Sequence, residues 1–165
     1  LGFRIEIQDQ TGKRALHEAA AANALRAAAF LVERGAEIDP RESAFHAPPI
    51  GWAAHGDRTE MVQLLSRYSR DLWILCANGY VDRVREILTE NPAPARDITS
   101  NGHTPLWCLP DDEATAMQIV ELLLAAGANP SAKSEDNRPA ADSARRRGMV
   151  NVASRLETAA ASSRP

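Results

Sequence analysis

The sequence predicts an all-α protein in which about five helix–turn–helix units, separated by short β-fingers, stack into a solenoid. One observation is a phrase of six or seven residues that recurs along the chain, for example over residues 14–20 and 104–109. A second is that an apolar run with helical spacing follows each copy and usually ends near Gly or Asn. A third is the regular spacing of the copies, which begin near residues 14, 48, 70, 104 and 139. Self-similarity with such a period is typical of stacked repeats.

The repeat array is predicted to span residues 13–157. Residues 1–12 resemble the stretches after Gly35 and Gly127, where one unit ends and the next begins, so they are predicted to be the remnant of a preceding unit and a first finger. The first complete unit contains the phrase from residue 14 and a second helix over residues 25–34, which Gly35 closes. Alanines at 19–22 and 27–29 allow its helices to approach closely.

The second and third units are predicted to join almost without a finger, because their phrases start only 22 residues apart instead of 34 or 35. A helix over residues 59–67 is followed by Ser69, where the closing glycine is expected, and the next phrase begins at Arg70. We therefore expect a tight turn here. A helix over residues 82–89 completes the third unit, and Asn91 closes it.

The fourth unit has the strongest helix signals. Thr104 is a candidate N-cap and Pro105 fits the first helical position, where a missing N–H costs little. Pro110 should end the short inner helix, because its ring cannot continue the helical hydrogen bonds. Asp111 or Asp112 can then cap the outer helix.

The fifth unit, over residues 139–156, is less apolar than the others, and its arginines at 145–147 suit a terminal repeat that faces water. Residues 158–165 are small and polar, so they are predicted to form a disordered tail.

A unit of about 33 residues that opens with a phrase like Thr-Pro-Leu-His resembles the ankyrin repeat, and the resemblance covers nearly the whole chain. It implies units of β-finger, inner helix and outer helix, with partners docking on the finger tips and the concave inner-helix face. His17 stands at the family's histidine, which typically braces the backbone of a neighbouring finger. The other units carry Gly51, Trp73, Trp107 and Asp142 at that place.

Composition argues against several classes of protein. The 165 residues carry a net charge of −3 with both signs mixed, so no global field favours nucleic acid or a membrane surface. No apolar run approaches the length of a membrane span, and two cysteines are too few for a disulfide framework. We expect a monomeric cytoplasmic protein, and the Ala- and Arg-rich composition favours a bacterial source.

No motif for catalysis, metal binding or cofactor binding is present. The cysteines and the histidines at 46, 55 and 103 lack metal-ligand spacing, and nucleophile and phosphate-loop motifs are missing. The arginines at 145–147 could contact phosphate, but the acidic residues at 111–113 hold the matching place in the preceding unit. Charge pairing between neighbouring units is therefore favoured over nucleic-acid binding. We expect no enzymatic activity, no cofactor and no metal.

The three tryptophans, Trp52, Trp73 and Trp107, can be interpreted in two ways. They fill the core, as large apolar residues at helical positions usually do, or they anchor a partner. Trp73 could occupy the space left by the missing side chain at Gly51. Trp52 is the best candidate for an anchor, because it stands one residue further along its unit than the others.

The sequence therefore predicts a protein–protein interaction module. Its contacts are expected at finger and inner-helix positions, around Trp52, His55, Asn78, Asn101 and His103. The alternative is a regulatory or scaffold segment appended to an enzyme in a longer chain. The partner itself cannot be deduced from the fold.

Overall fold

The computed structural model describes residues 6–162, and the regular secondary structure of this part is helical, with isolated β-bridges besides. None of its helices is long and apolar enough to cross a membrane. Two 3-10 turns, at Ala93–Arg96 and Pro105–Trp107, accompany the α-helices. In chain order the α-helices are α1 (Ala15–Ala21), α2 (Leu25–Glu33), α3 (Pro49–His55), α4 (Thr59–Ser66), α5 (Leu72–Ala77), α6 (Val81–Glu90), α7 (Glu113–Ala125), α8 (Ala140–Arg146) and α9 (Val150–Ser162).

The chain divides into two compact units, which we call the N-terminal lobe, ending at Ile74, and the C-terminal lobe, beginning at Leu75. In the N-terminal lobe α1 packs against α2 and α3, and α4 packs against both α2 and α3. Two helix–turn–helix repeats therefore lie side by side. Their largest buried side chains form the core of this lobe: Leu16, Ile50, Met61 and Leu65.

The C-terminal lobe repeats this layered arrangement. Its outer helix α7 packs against α6 and α9, and α9 packs against α8. The 3-10 turn Pro105–Trp107 takes the place of an inner helix and contacts α7 and α8. The buried side chains between these elements include Ile87, Leu106, Ile119, Leu123 and Leu156. The predicted all-α helical repeat architecture is confirmed.

A residue in the left-handed conformation closes the turn between the two helices of four repeats. These residues are Asn23, Asp57, Gly79 and Gly148, with φ between 53° and 80°. Gly adopts this conformation without strain, and Asn and Asp tolerate it better than other side chains do. The residue types at these turns therefore explain why the chain reverses there.

Three fingers share one hydrogen-bond pattern: residues 9–13, 99–103 and 134–138. In each, the N–H of the first residue donates to the carbonyl of the fifth, and the N–H of the fourth donates back to the carbonyl of the first. Fingers within a lobe are also joined, by Ser43 N–H to the Thr11 carbonyl (2.8 Å) and by Glu135 N–H to the Asn101 carbonyl (3.0 Å). Backbone groups at the finger tips are thus satisfied by the neighbouring repeat.

The junction between α4 and α5 has no hairpin, which confirms the prediction drawn from the short interval. Side chains replace the finger. The Asp71 carboxylate accepts the N–H of Ile74 at 3.0 Å and so caps α5. The Asp39 carboxylate accepts the Ser69 hydroxyl and the Arg70 N–H, both at 2.7 Å. Burial raises the pKa of Asp39, and these two hydrogen bonds only partly oppose that rise.

The inner helix of the fourth repeat was predicted wrongly, because only a 3-10 turn forms there. The chain leaves the helical region at Cys108 (φ −101°, ψ 70°), two residues before Pro110. The proline ring disfavours the helical conformation for the residue that precedes it, Leu109. Thr104 makes no side-chain capping bond. Asp112, one of the two predicted caps, accepts the N–H of Thr115 at 2.8 Å and begins α7.

The tail that was predicted to be disordered is helical in the part that the structure describes. Helix α9 continues through Ser162, while residues 163–165 lie outside the described residues, as do residues 1–5 of the predicted remnant. Arg145 in α8 pairs with Glu157 in α9 at 2.6 Å. The Thr158 hydroxyl donates to the Ser154 carbonyl at 2.9 Å.

The close approach of two fingers predicts an unequal response of two glycines to alanine. A Cβ on Gly102 (φ 79°) would clash with the Lys133 carbonyl oxygen, whereas one on Gly148 (φ 80°) would meet nothing within 4 Å. Both substitutions incur the left-handed penalty of about 1–2 kcal/mol. We expect Gly102→Ala to lower the free energy of unfolding by about 1–3 kcal/mol more than Gly148→Ala. Urea denaturation measures both, and equal losses would contradict the close finger contact.

Candidate functional site

An apolar hollow lies on the N-terminal lobe, between the second finger (residues 42–47) and α3. Its volume is about 240 Å³, and it is open to solvent. The finger contributes Phe45 and Ala47, and α3 contributes Gly51, Trp52 and His55. The hollow therefore contains two of the residues that the sequence predicted for a partner site, Trp52 and His55.

The second finger has a different construction from the three regular ones. The side chain of Glu42 is almost fully buried, and its carboxylate accepts the backbone N–H groups of Ala44 (2.5 Å), Phe45 (2.9 Å) and Ala47 (3.3 Å). Burial alone would raise the pKa of Glu42, but these donors outweigh burial and lower it. An ionised carboxylate thus accepts backbone N–H groups here, whereas backbone carbonyls accept them in the three regular fingers.

His17 holds the same finger from the other side. Its Nδ1 accepts the N–H of Arg14 at 3.1 Å, so the ring proton must be on Nε2, which lies 3.3 Å from the carbonyl oxygen of Ala47. Burial lowers the pKa of His17 and keeps the ring neutral, although the backbone carbonyls of Ala47 and Pro40 oppose this shift. The finger-bracing role that the resemblance implied for this histidine is present here. Both backbone groups of Ala47 are consequently fixed.

The aromatic rings at the hollow are arranged edge to face. The centroids of Phe45 and Trp52 are 5.6 Å apart with an interplanar angle of 74°. Phe45 is 73% exposed, whereas Trp52 is half-buried. The ammonium of Lys13 lies 4.4 Å from the centroid of the Trp52 ring. The two interpretations of Trp52 therefore both hold in part, because one side chain packs within the lobe and also lines an open surface.

The indole N–H of Trp52 is buried near the carboxylate of Glu42. Its Nε1 is buried and has no partner at hydrogen-bond geometry among the described residues. The same N–H nevertheless contributes to the lowered pKa of Glu42, so the two groups are near one another. The atoms nearest to a Cβ placed on Gly51 belong to Pro48, Ala47 and Ile74, and the expectation that Trp73 fills this space stays a prediction.

The three other predicted site residues belong to the C-terminal lobe. Asn101 is exposed at a finger tip, and His103 of the same finger stacks on Trp107 with centroids 4.5 Å apart. Asn78 is exposed in the turn between α5 and α6. The predicted site is thus divided between the lobes, and the cavity described above contains only its N-terminal members.

Sequence reasoning missed Phe45, Lys13 and Glu42. Phe45 carried a weak signal, since a phenylalanine in a finger segment that is otherwise polar or small is unusual for an exposed loop. Lys13 and Glu42 resemble ordinary surface residues in the sequence. Their roles depend on a ring and on backbone groups that the fold brings to them.

Charged residues of the C-terminal lobe pair across neighbouring repeats. Arg147 donates to Asp111 (2.7 Å) and to the carbonyl of Leu109 (2.8 Å). Glu113 accepts the N–H of Asn151 at 2.7 Å and caps α9. The predicted pairing of the arginine and acidic triads is therefore confirmed for Arg147. Within residues 6–162, no three His, Cys, Asp or Glu side chains come together as a metal site.

Comparison with known proteins agrees with this geometry. Residues 16–65 match the family model for ankyrin repeats (many copies). The chain is similar to the crystal structure of an ankyrin repeat domain from Acinetobacter baumannii AYE, with 26% identity and a TM-score of 0.65 over 96% of this chain and 87% of that one.

A second similar chain belongs to the structure of a predatory endopeptidase from Bdellovibrio bacteriovorus in complex with an immunity protein. The identity is 18% and the TM-score 0.62, with 94% of this chain and 86% of that chain covered, so this likeness concerns the fold alone. None of the curated proteins matches the chain in sequence.

The buried carboxylate predicts that Glu42→Gln loosens the second finger. A glutamine amide nitrogen would face backbone N–H groups that need an acceptor, so the urea midpoint should fall. Hydrogen exchange at the amides of Phe45 and Ala47 should accelerate. Glu33→Gln, on the exposed surface of α2, is the matched control and should change neither measurement. Unchanged exchange at Phe45 in Glu42→Gln would contradict the bracing role.

The neutral His17 predicts a loss of stability in mild acid. Its pKa is lower in the folded protein than the value of about 6.5 in the unfolded chain, so the unfolded chain binds the proton more readily. The contribution of His17 to stability is complete above that value and declines as the pH falls below it.

Urea denaturation at about pH 8 and about pH 5.5 measures this decline. His17→Ala should be less stable by about 1–3 kcal/mol at the higher pH, because it leaves the Arg14 N–H and the Ala47 carbonyl without their side-chain partner. It should also lose less stability between the two pH values than the wild type does. An equal pH-dependent loss in both proteins would show that another group is responsible.

Proposed function

We propose that this chain, which matches ankyrin repeats over residues 16–65 and in its fold, is an interaction module that binds a protein partner through the hollow of Phe45 and Trp52 and the adjoining finger tips. Ankyrin repeats generally serve as protein–protein interaction modules. One of the similar structures is itself a complex of two proteins, which is consistent with a binding role.

A single observation carries the proposal: an exposed phenylalanine stands at the rim of a preformed apolar hollow on a braced finger. Phe45 is 73% exposed while its own N–H is held by Glu42. Exposed aromatic side chains beside concave apolar surfaces are the usual anchors of protein recognition. A rigid finger also loses little conformational entropy when a partner docks.

The position of the hollow agrees with the way this fold is used. Phe45 and Ala47 belong to a finger, and Trp52 and His55 belong to the inner helix α3. These are the two elements through which ankyrin repeats usually contact their partners. The proposed role requires no catalysis, metal or cofactor from these residues, and we place it in a monomeric protein of the cytoplasm that binds neither nucleic acid nor membrane.

A regulatory or scaffold role beside an enzyme in a longer chain is the second candidate. The same hollow would then hold a segment of the neighbouring domain. Two experiments separate the candidates. Capture of a separate protein by these 165 residues supports the first candidate. If a longer chain that contains them fails to capture that protein, the hollow is occupied within the chain, and this supports the second.

Two exposed phenylalanines of the N-terminal lobe provide a matched test. Phe45 lies at the hollow, whereas Phe30 is 47% exposed on the outer helix α2, with the Arg34 guanidinium 4.5 Å from its ring centroid. We expect Phe45→Ala to weaken the capture of a native protein partner at least about tenfold, the size of a hot-spot loss. Phe30→Ala should capture it normally.

Immobilised wild type and the two variants would be incubated with an extract of the cells that make the protein, and the bound proteins quantified by mass spectrometry. Thermal melting should give the same midpoint for the wild type and Phe45→Ala, because the ring is mostly in solvent. An identical set of bound proteins for all three would remove the hollow from the binding site.

A further inference from the structure

We propose that the hollow accepts an apolar side chain that is flanked by a carboxylate, so that the partner presents a short acidic segment with one apolar anchor. This inference rests on the proposed function and specifies the chemistry of the partner at the same site. It follows from the lining of the hollow and from the charges around it.

The lining fits an apolar anchor. Phe45, Ala47, Gly51 and Trp52 offer carbon surfaces to a cavity of about 240 Å³. Gly51 lets the finger and α3 approach closely, because a Cβ there would lie only 3.3 Å from Pro48 Cδ and 3.4 Å from Ala47 Cβ. A hydrocarbon or aromatic group entering from solvent would leave water and contact these surfaces.

Two acidic groups at or beside the second finger are already engaged. Glu42 accepts three backbone N–H groups and is almost inaccessible. Asp71 accepts the guanidinium of Arg41 and the N–H of Ile74. None of the side chains that line the hollow carries a negative charge. The lining of the hollow therefore offers no anion to a cationic partner group.

One positive charge stands at the rim, and its only salt-bridge partner among the described residues is an exposed carboxylate. The Lys13 ammonium lies over the Trp52 ring, and its ionic partner Glu18 is 66% exposed at 3.3 Å. Exposed pairs of this kind contribute little to stability, so an incoming carboxylate can share or replace Glu18. His55 adds a second ring with donor capacity to the lining.

The same aromatic pair could in principle hold a cation, as aromatic cages do, but Lys13 opposes that alternative. An ammonium 4.4 Å from the Trp52 centroid already uses the negative face of the ring. A second cation in the hollow would be repelled by the first. The arrangement consequently favours an anionic neighbour of the anchor over a cationic one.

Three small compounds with one ring and one chain length test the charge preference: 3-phenylpropionate, 3-phenylpropionamide and 3-phenylpropylamine. Each is titrated to millimolar concentration while NMR follows the amides of Ala47 and Gly51 and the indole N–H of Trp52. We expect the anion to bind about fivefold or more tightly than the amine, with the amide between them.

The two lysines of the chain supply the matched variants. Lys13→Met should abolish the preference for the anion. Lys133→Met changes the net charge equally on a finger of the C-terminal lobe, where the lysine bonds to Asn137, and should preserve the preference. Phe45→Ala should weaken the binding of all three compounds.

Equal or tighter binding of the amine would overturn the proposal in favour of a cation site. Shifts absent for all three compounds would overturn it as well, as would an anion preference that survives in Lys13→Met. These failures are distinguishable from failure of the proposed function. Partner capture that depends on Phe45 without any charge preference refutes this inference alone, whereas a charge preference with capture unaffected by Phe45→Ala refutes the interaction site.

Discussion

The second finger depends on one constraint, namely that buried backbone groups must find hydrogen-bond partners. In the regular fingers those groups pair across a tight turn. Between Glu42 and Ala47 the backbone does not close in this way, and the carboxylate of Glu42 and the imidazole of His17 supply the missing acceptor and donor. These hydrogen bonds fix the shape of the hollow, because they hold both the N–H and the carbonyl of Ala47 and the N–H of Phe45.

The same solution appears where the finger between α4 and α5 is missing. There Asp39 and Asp71 accept backbone N–H groups that a hairpin would otherwise satisfy. Asp39 differs from Glu42 in one respect, because two hydrogen bonds do not compensate for its burial and its pKa is raised. The balance between burial, neighbouring charges such as Asp71 beside Asp39, and hydrogen-bond donors thus sets the direction of each shift. Irregular repeats in this chain are stabilised by acidic side chains at the places where the regular pattern is interrupted.

Much of the fold could be predicted from sequence because the repeat signal is local. Helix periodicity, the glycines that close the outer helices and the short interval before Arg70 are all readable within one unit. The 3-10 turn at Pro105–Trp107 was missed because the predicted α-helix had very few residues before Pro110. Pro110 disfavours the helical conformation of the residue before it, so too few helical residues remained for a regular α-helix. The end of α9 was missed because the polarity of residues 158–162 outweighed the helix propensity of its alanines.

The candidate site was less predictable, because its parts are far apart in the sequence. Trp52 and His55 were found from their position on an inner helix. Glu42 and Lys13 act on groups contributed by other segments, and Ala47 is held by a histidine 30 residues before it. Such long-range pairings leave no periodic trace in a single sequence. Phe45 was recognisable only as an apolar residue in an unusual place.

The construction of the second finger also bears on how this surface can change during evolution. Phe45 is held in the finger through its N–H, a group that every residue except proline possesses, while its ring is mostly exposed to solvent. The bracing side chains, Glu42 and His17, are buried away from the rim. Mutation at position 45 can therefore exchange one anchor for another while the finger keeps its shape, so a lineage that carries this repeat can acquire new partners without first acquiring new stability.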